Sequence, residues 1–272
     1  MTDEDTKRNQ TRAQVAHIEE EVRATQPLTS DPLPVFELAR TYSGQQEGGG
    51  DGGDGSSFLL GARCLEGRYG QMRRIRGDGN CYYRAVLYSI AEGINMSSAT
   101  ETSEAELGRL SAWAKDSLDR VVSQGYDRFA VEMFHEELVD LLDYLKTSPS
   151  ADGLHARLTE EGGTSDYCTW YLRVITAAHL KADPDRFLPY LGGGHLDVPT
   201  FCAREVEPMG RECEMVQALA LAEALGVRVV IEYLDGRDLD ADGQLFRHTL
   251  GPAEAETVVT LLYRPGHYDI LY

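Results

Sequence analysis

The spacing of apolar residues changes from helical to extended at Gly226, and this change limits the folds open to the chain. Three long segments before it repeat apolar residues at helical spacing, and four short segments after it are rich in β-branched and aromatic residues. The helical segments are residues 103–122, 127–146 and 165–182, and the extended segments are residues 227–234, 245–250, 257–264 and 267–272. Helices followed by closely connected strands predict an α+β domain around a small sheet.

The N-terminal part of the chain predicts a helical arm rather than core. Residues 9–24 carry Val15, Ile18 and Val22 at helical spacing on an otherwise polar segment, which predicts an amphipathic helix with a narrow apolar stripe. A second short helix is expected over residues 33–42.

A glycine-rich segment then separates these helices from the rest of the chain. Residues 43–57 contain seven glycines and no apolar side chain, so we expect a flexible insertion there. The sequence is accordingly divided into an arm, residues 1–57, and a main domain, residues 58–272.

The composition excludes several classes of protein. The chain has 272 residues with 45 acidic and 26 basic side chains, a net charge of −19, which disfavours a general nucleic-acid binder. No apolar run approaches the ~18 residues of a membrane span, and the charged start MTDEDTKRNQ lacks the apolar stretch of a secretory signal. We expect a monomer in the cytoplasm or nucleus, with no nucleic-acid or membrane partner.

The cysteines favour reduced thiols over a structural role. Five cysteines are spread along the chain without a C-x-x-C pair, which supports neither a zinc cluster nor a disulfide framework. One of them, Cys81, follows the turn GDGN and opens the apolar helix CYYRAVLYSIAEG. A thiol in the first turn of a helix is favoured as a thiolate by the helix dipole. The alternative is that Cys81 is a small buried packing residue.

A nucleophilic cysteine needs a base, and the last predicted strand offers one. His267 and Asp269 stand two residues apart in RPGHYDILY, so they project from the same face of a strand while Tyr268 points to the other. A carboxylate beside an imidazole fixes its tautomer and stabilises the imidazolium. The H-x-D pattern alone is also compatible with a purely structural pair.

Longer motifs resemble one family. A cysteine early and a histidine–carboxylate strand late is the order of papain-like cysteine hydrolases, and GDGNCYYRA resembles the nucleophile motif of the ovarian-tumour (OTU) domain deubiquitinases. LLYRPGHYDILY resembles the C-terminal motif of their otubain branch. The segments TSDYCTWYLRVITAAHL and FCAREVEPMG are similar to otubain sequences as well.

The resemblance implies a papain-like fold, with a small, mostly antiparallel sheet between helical layers, and a set of site residues. Cys81 is implied as the nucleophile, His267 as general base and acid, and Asp269 as the residue that orients the histidine. Asp78 matches an active-site aspartate of the family. Because a carboxylate aimed at the thiol would raise the thiol pKa, we expect Asp78 to shape the turn instead.

The resemblance also bears on the oxyanion donors and on cofactors. The backbone amides of Asp78, Gly79, Asn80 and Cys81 are the predicted oxyanion donors. No metal or organic cofactor is implied. The sequence departs from the family at Gly77, where a proline is common.

The function implied by the resemblance is thiol-dependent hydrolysis of isopeptide bonds at the C-terminal glycine of ubiquitin, in conjugates or polyubiquitin chains. Some otubains prefer the lysine-forty-eight linkage and use the N-terminal helix to hold the proximal ubiquitin, which predicts Val15, Ile18 and Val22 as ubiquitin contacts here. The alternative for this helix is packing on its own domain. Two other functions stay open: non-catalytic inhibition of ubiquitin-conjugating enzymes, and hydrolysis of another ubiquitin-like modifier.

Overall fold

The computed structural model describes residues 17, 20–45, 54–97, 100–191 and 197–272. The helices in these ranges that exceed two turns are α1 Phe36–Gln45, α2 Asp54–Glu66, α3 Cys81–Met96, α4 Glu101–Ser123, α5 Arg128–Leu145, α6 Ala151–Thr159, α7 Thr164–Ala182 and α8 Met215–Leu225. Shorter helical turns are Pro184–Phe187, Leu188–Tyr190, Val198–Phe201 and Cys202–Val206. The strands are β1 Leu33–Pro34, β2 Gln71–Arg73, β3 Arg228–Tyr233, β4 Arg247–Leu250, β5 Val258–Arg264 and β6 His267–Leu271.

The six strands form one sheet in the order β1-β2-β6-β5-β3-β4. Strands β3 and β5 pair in parallel, and the other neighbours are antiparallel. The predicted α+β class with a small, mostly antiparallel sheet is confirmed. The four C-terminal strands lie within two residues of their predicted bounds, while the short strands β1 and β2 carry too few residues for a period-two pattern and were not predicted.

The sheet separates two apolar cores. On one face the larger core joins the sheet to α3, α4, α5, α7 and α8, and on the other face a smaller core joins it to α1 and α2. Alternation along β6 serves both cores, because Ile270 enters the larger one and Leu271 the smaller one. A small sheet between helical layers is therefore confirmed.

The arm predicted for residues 1–57 is partly built into this domain. Leu28, Val35 and Leu38 are each 1% exposed, and strand β1 pairs with β2. The boundary predicted at residue 57 therefore does not coincide with a change in packing. The segment after Pro27 is buried because its apolar residues pack against the domain and its strand β1 pairs with β2 at the edge of the sheet.

The prediction of a flexible segment over residues 43–57 is wrong at both ends. Helix α1 extends through Gln45 and α2 begins at Asp54, while residues 46–53 lie outside the described residues. Phe58 stacks on Tyr42, with ring centroids 5.2 Å apart, so the two helices are joined by aromatic packing. Tertiary packing here overrides the low helix propensity of glycine.

Helix starts were predicted less well than helix positions. Helix α4 is capped by Thr100, whose hydroxyl accepts a hydrogen bond from the Ser103 amide, so the helix begins two residues before the start predicted at residue 103. Helix α6 was not predicted. Among the described residues, none of the helices combines the length and apolar character that crossing a bilayer requires.

Candidate active site

Cys81 is the first residue of α3, as predicted. The helix is held in the larger core by Tyr82, which is fully buried, donates a hydrogen bond from its hydroxyl to the Ala218 carbonyl at 2.9 Å, and packs edge-on against Tyr268 of β6. These contacts tie the start of α3 to the strand that carries the base. The thiol itself is 3% exposed.

The turn before Cys81 is shaped by a backbone-to-backbone approach. Gly79 has a φ of +76°, and a Cβ at this position would lie 2.3 Å from the Gly210 carbonyl oxygen. Only glycine fits such a contact at positive φ. Gly79 is thus required both by the conformation of the turn and by the loop of residues 207–212 that packs against it.

A buried arginine from α7 holds this turn. Arg173 is 0% exposed, and its guanidinium donates to the Gly79 carbonyl at 2.7 Å, to Asn80 Oδ1 at 2.9 Å and to the Arg211 carbonyl at 2.6 Å. The same cation lies over the ring of Tyr83, 4.4 Å from its centroid. Arg173 therefore links the nucleophile turn to the loop packed against it.

Asn80 occupies the N-cap position of α3 but does not cap the helix with its side chain. Its Oδ1 accepts from Arg173 and from the Gly210 amide at 3.0 Å. Its own amide donates to Asp78 Oδ1 at 3.0 Å. The prediction of Asn80 as an oxyanion donor is wrong, because its backbone N–H already donates to Asp78 within the turn.

Asp78 shapes the turn, as expected, and its charge is compensated. Arg84, one turn into α3 and 1% exposed, donates to Asp78 at 3.0 Å and to Asp166 at 3.1 Å. Burial raises the pKa of Asp78, but the Arg84 cation and the Asn80 amide outweigh it, so the pKa lies below its ordinary value. An ionised Asp78 paired with Arg84 presents little net charge to the neighbouring thiol.

His267 and Asp269 meet the thiol from β6. The His267 Nε2 atom lies 3.0 Å from Asp269 Oδ1, and Cys81 lies close enough to the ring to raise the imidazole pKa. With Nε2 held by the carboxylate, Nδ1 is the nitrogen available to the thiol. The two residues share one face of the strand while Tyr268 enters the larger core, as the sequence predicted.

The surroundings of His267 favour its charged form. Burial lowers the pKa of the imidazole, but hydrogen bonds to Asp269 and Cys81 and their charges outweigh burial and raise it to about 9. The Asp269 pKa is held below its ordinary value, since His267 and Arg264 outweigh the effect of complete burial. At neutral pH the site therefore holds an imidazolium between the Asp269 carboxylate and Cys81.

The other cysteines lack this environment. Burial raises the pKa of Cys168 and Cys213, and raises the pKa of Cys202 to about 12. Cys64 is half-exposed and directs its thiol at the Gly243 carbonyl, 3.4 Å away. Cys81 alone among the five has a histidine partner in the described residues, so the packing interpretation of Cys81 is not needed to explain its position.

A groove of about 710 Å³ opens beside His267. Its walls include Gln26 and Pro27 from the N-terminal segment, Arg74 after β2, and Arg264 at the end of β5. Gly77 and His267 also line the groove, and Cys81 is not among its lining residues. A side chain at Gly77 would lie 3.8 Å from His267 Nδ1, so the glycine found where the family commonly has proline leaves this side of the ring less covered.

The predicted oxyanion donors reduce to the amides of Asp78, Gly79 and Cys81. Among the described residues none of these three amides donates a hydrogen bond, and that of Cys81 is the first of its helix. The described residues also contain no group of three or more His, Cys, Asp or Glu side chains arranged to hold a metal ion.

The predicted ubiquitin contacts are only partly within the described residues. Val15 and Ile18 lie outside them, and Val22 is half-buried in a helical segment that runs over residues 20–25. Of the remaining histidines, His135, His155 and His179 make contacts within the helical layers.

Sequence reasoning missed the arginines that support the site. Arg84 and Arg173 each interrupt an apolar helical segment, and that lone charge was the available signal. Arg264 stands inside the C-terminal motif, but no role was predicted for it, although it donates to Asp269 at 2.5 Å. Gln26, whose side chain accepts the Gly77 amide at 3.1 Å, gave no signal at all.

Comparisons with known proteins cover nearly the whole chain. A family model described as Peptidase C65 Otubain matches residues 21–272. Human ubiquitin thioesterase OTUB1 is 34% identical over 260 residues, which cover 96% of this chain and 88% of that protein. The Arabidopsis thaliana OVARIAN TUMOR DOMAIN-containing deubiquitinating enzyme 1 is 33% identical, with 93% and 83% covered.

Solved structures are similar over the same extent. A complex of h/ceOTUB1, ubiquitin aldehyde and UBCH5B~Ub matches with a TM-score of 0.84 at 28% identity, covering 98% of both chains. A second complex, with UBC13~Ub, matches with a TM-score of 0.84 at 28% identity and covers 97% of both.

Proposed function

The chain belongs to the otubain family of peptidase C65 and is a thiol-dependent deubiquitinase, and we propose that Cys81, His267 and Asp269 carry out its reaction. The reaction is hydrolysis of the isopeptide bond between the C-terminal glycine of ubiquitin and a lysine amine. The observation that carries the assignment is the placement of Cys81, at the start of α3, beside an imidazole whose Nε2 is held by Asp269.

The first step forms a thioester. The Cys81 thiolate attacks the carbonyl carbon of the terminal glycine, and the carbonyl oxygen takes the negative charge near the amides of Gly79 and Cys81. The carbon–nitrogen bond then breaks as the His267 imidazolium gives its proton to the lysine nitrogen. The free amine leaves, and neutral His267 faces a ubiquitin thioester.

The second step restores the enzyme. His267 takes a proton from water as the water oxygen attacks the thioester carbonyl. The carbon–sulfur bond breaks and the thiolate–imidazolium pair forms again. Ubiquitin leaves with a C-terminal carboxylic acid, which gives its proton to solvent and becomes a carboxylate. Asp269 holds the ring through both steps, and the steps require no cofactor.

A ubiquitin probe with a thiol-reactive C-terminus tests the assignment. The wild-type protein is expected to form a covalent adduct, and Cys81→Ser is expected to form none. Cys64→Ser serves as the control because it removes a more accessible thiol without touching the site. Labelling that survives Cys81→Ser and disappears with another cysteine would reject Cys81. Probes built on other ubiquitin-like modifiers, used in competition, test the alternative substrate.

The preferred linkage is a separate proposal. We propose that the segment containing Val15, Ile18 and Val22 holds the proximal ubiquitin and favours the lysine-forty-eight linkage. A deletion of residues 1–22 removes all three residues and is a sharper test than a longer one, because Gln26 already touches the catalytic turn and Leu28 is buried. Cleavage of a panel of differently linked diubiquitins is expected to lose its preference, while an unchanged profile rejects the idea.

Ubiquitin and ubiquitin-conjugating enzymes are the protein partners of this chain, as in the complexes of its relatives. A second candidate function follows, in which the chain restrains a conjugating enzyme by binding alone. Cys81→Ser separates the two functions. Loss of hydrolysis with retained inhibition of ubiquitin transfer supports the second, and loss of both rejects it.

We also propose a cytoplasmic or nuclear location. All five cysteines are unpaired, which suits a compartment that keeps thiols reduced. Fractionation of cells that express the tagged chain tests this.

A further inference from the structure

Asp269 is held by more than the histidine. Its Oδ1 accepts from His267 and, at 3.0 Å, from the amide of Ile75, while its Oδ2 accepts from Arg264 at 2.5 Å. The carboxylate is 0% exposed. Both carboxylate oxygens therefore accept hydrogen bonds. The bond from Arg264 to Oδ2 determines that Oδ1 faces the histidine.

Arg264 is itself fixed from two directions. It ends β5, where the strand register pairs it with His267 across the hairpin. Tyr42, in α1, lies close enough to the guanidinium to help raise the Arg264 pKa, together with Asp269. Because Tyr42 stacks on Phe58 of α2, the helical layer built from the N-terminal segment holds the arginine in place.

We propose that Arg264 is a positioning residue, which fixes the plane of the Asp269 carboxylate so that its Oδ1 stays aligned with His267 Nε2. The proposal rests on the function given above and adds a residue that acts through Asp269. A planar guanidinium restrains the rotation of a carboxylate, whereas a point charge does not.

Charge and position predict opposite changes at His267. If Arg264 acted only as a cation, its removal would leave Asp269 less compensated and raise the His267 pKa. If Arg264 holds the carboxylate in place, its removal lets the carboxylate turn from the ring, and the His267 pKa falls because burial is no longer outweighed. The proposal therefore predicts that the His267 pKa falls when Arg264 is removed.

The charged and titratable groups around this cluster come from four other elements. They are Cys81 of α3, Tyr42 of α1, Arg74 after β2, and Glu212 in the loop before α8, whose carboxylate lies beside Gly266. None of these changes in the Arg264 variants below.

The first measurement does not depend on substrate. The ring signals of His267 are identified by their loss in His267→Asn and titrated by NMR in the wild type, Arg264→Met and Arg264→Lys. The His267 pKa is expected to fall in Arg264→Met and to fall less in Arg264→Lys, which keeps the cation but loses the planar fork. An unchanged or higher pKa in both variants overturns the proposal even if the protein turned out to hydrolyse nothing.

The second measurement uses a substrate with a small leaving group on the ubiquitin C-terminus. We expect kcat to fall by about 10- to 100-fold in Arg264→Met with little change in KM, and the alkaline limb of kcat/KM to move to lower pH. If the wild type is active and the variant keeps its kcat and its limb, Arg264 is a structural residue and the proposal is wrong.

Arg247→Met is the matched control. Arg247 pairs with a fully buried carboxylate, Glu232, at 2.7 Å in the same sheet, away from the triad, and Glu232 is also held by Arg68. We expect this variant to lower the thermal midpoint without moving the His267 titration. If it moves the titration as much as Arg264→Met does, the effect is a general loss of sheet stability, and the proposal fails. Should Arg264→Met not fold, Arg264→Lys and Tyr42→Phe, which removes only the hydroxyl, provide the same comparison.

Discussion

Arg84 pairs with Asp78 across the turn that precedes the nucleophile, with both carboxylate oxygens 3.0 Å from the guanidinium. An uncompensated aspartate three residues from a catalytic thiol would disfavour the thiolate by like-charge repulsion, and the Arg84–Asp78 pair removes this effect. The carboxylate can shape the turn by accepting the Asn80 amide, because the buried arginine compensates its charge.

Arg84→Met is therefore expected to impair both stability and activity. Removal of the cation leaves Asp78 and Asp166 facing each other, but both are about a quarter exposed. We expect a loss of ~2 kcal/mol in the free energy of unfolding, below the ~3–5 kcal/mol of a fully buried pair. Urea unfolding of Arg84→Met, Asp78→Asn and the double variant measures the coupling. Single losses that simply add would show that the pair does not interact.

The ionisation of His267 predicts the alkaline limit of activity. Since its pKa is raised from 6.5 to about 9, its contribution to stability is fully present below pH 6.5 and is lost as the pH rises through about 9. The value of kcat/KM with a ubiquitin substrate is expected to fall over the same range. In Asp269→Asn the limb is expected at lower pH, with kcat reduced by at least about 100-fold. A limb that stays near pH 9 in Asp269→Asn would show that another residue stabilises the imidazolium.

The sequence predicted the site better than its supports, and the reason is physical. Cys81 was predicted from a helix start and His267 from the alternation of a strand. Both are local patterns that are contained in nine residues of sequence. Gln26 and Tyr42 act on the site across 51 and more residues of chain, and nothing local marks such contacts. The burial of Leu28 likewise depends on a sheet that the local sequence does not reveal.

Gln26 predicts an effect of the N-terminal segment on the chemical step itself. Its side chain accepts the Gly77 amide at 3.1 Å and its carbonyl accepts Arg76 at 2.8 Å. In Gln26→Met the amide loses its acceptor, which we expect to cost ~1 kcal/mol and to lower kcat several-fold. The substrate should carry only a small fluorophore after ubiquitin, so that binding of a proximal ubiquitin does not contribute.

The control for this variant is Gln124→Met, directly after α4, whose side chain is hydrogen-bonded only to its neighbour Ser123 among the described residues. It is expected to leave kcat unchanged. If Gln26→Met changes the cleavage of diubiquitin but not of the fluorogenic substrate, the segment acts only on the proximal ubiquitin, and its contact with Gly77 has no catalytic role.

The close approach of Gly79 and Gly210 predicts contrasting outcomes for two glycine-to-alanine changes. At Gly79, whose φ is +76°, the new Cβ would lie 2.3 Å from the Gly210 carbonyl oxygen. The loop cannot easily withdraw, because Asn80 Oδ1 accepts the Gly210 amide and Arg173 donates to the Arg211 carbonyl. We expect Gly79→Ala to lose most probe labelling and several degrees of thermal midpoint. Gly93 lies in α3, where an added Cβ would meet nothing within 4 Å, so Gly93→Ala is expected to raise stability by ~0.5–1 kcal/mol through helix propensity. Normal labelling of Gly79→Ala, measured with the same probe and beside Gly93→Ala, would mean that the loop moves away without cost and that the turn is not fixed by this contact.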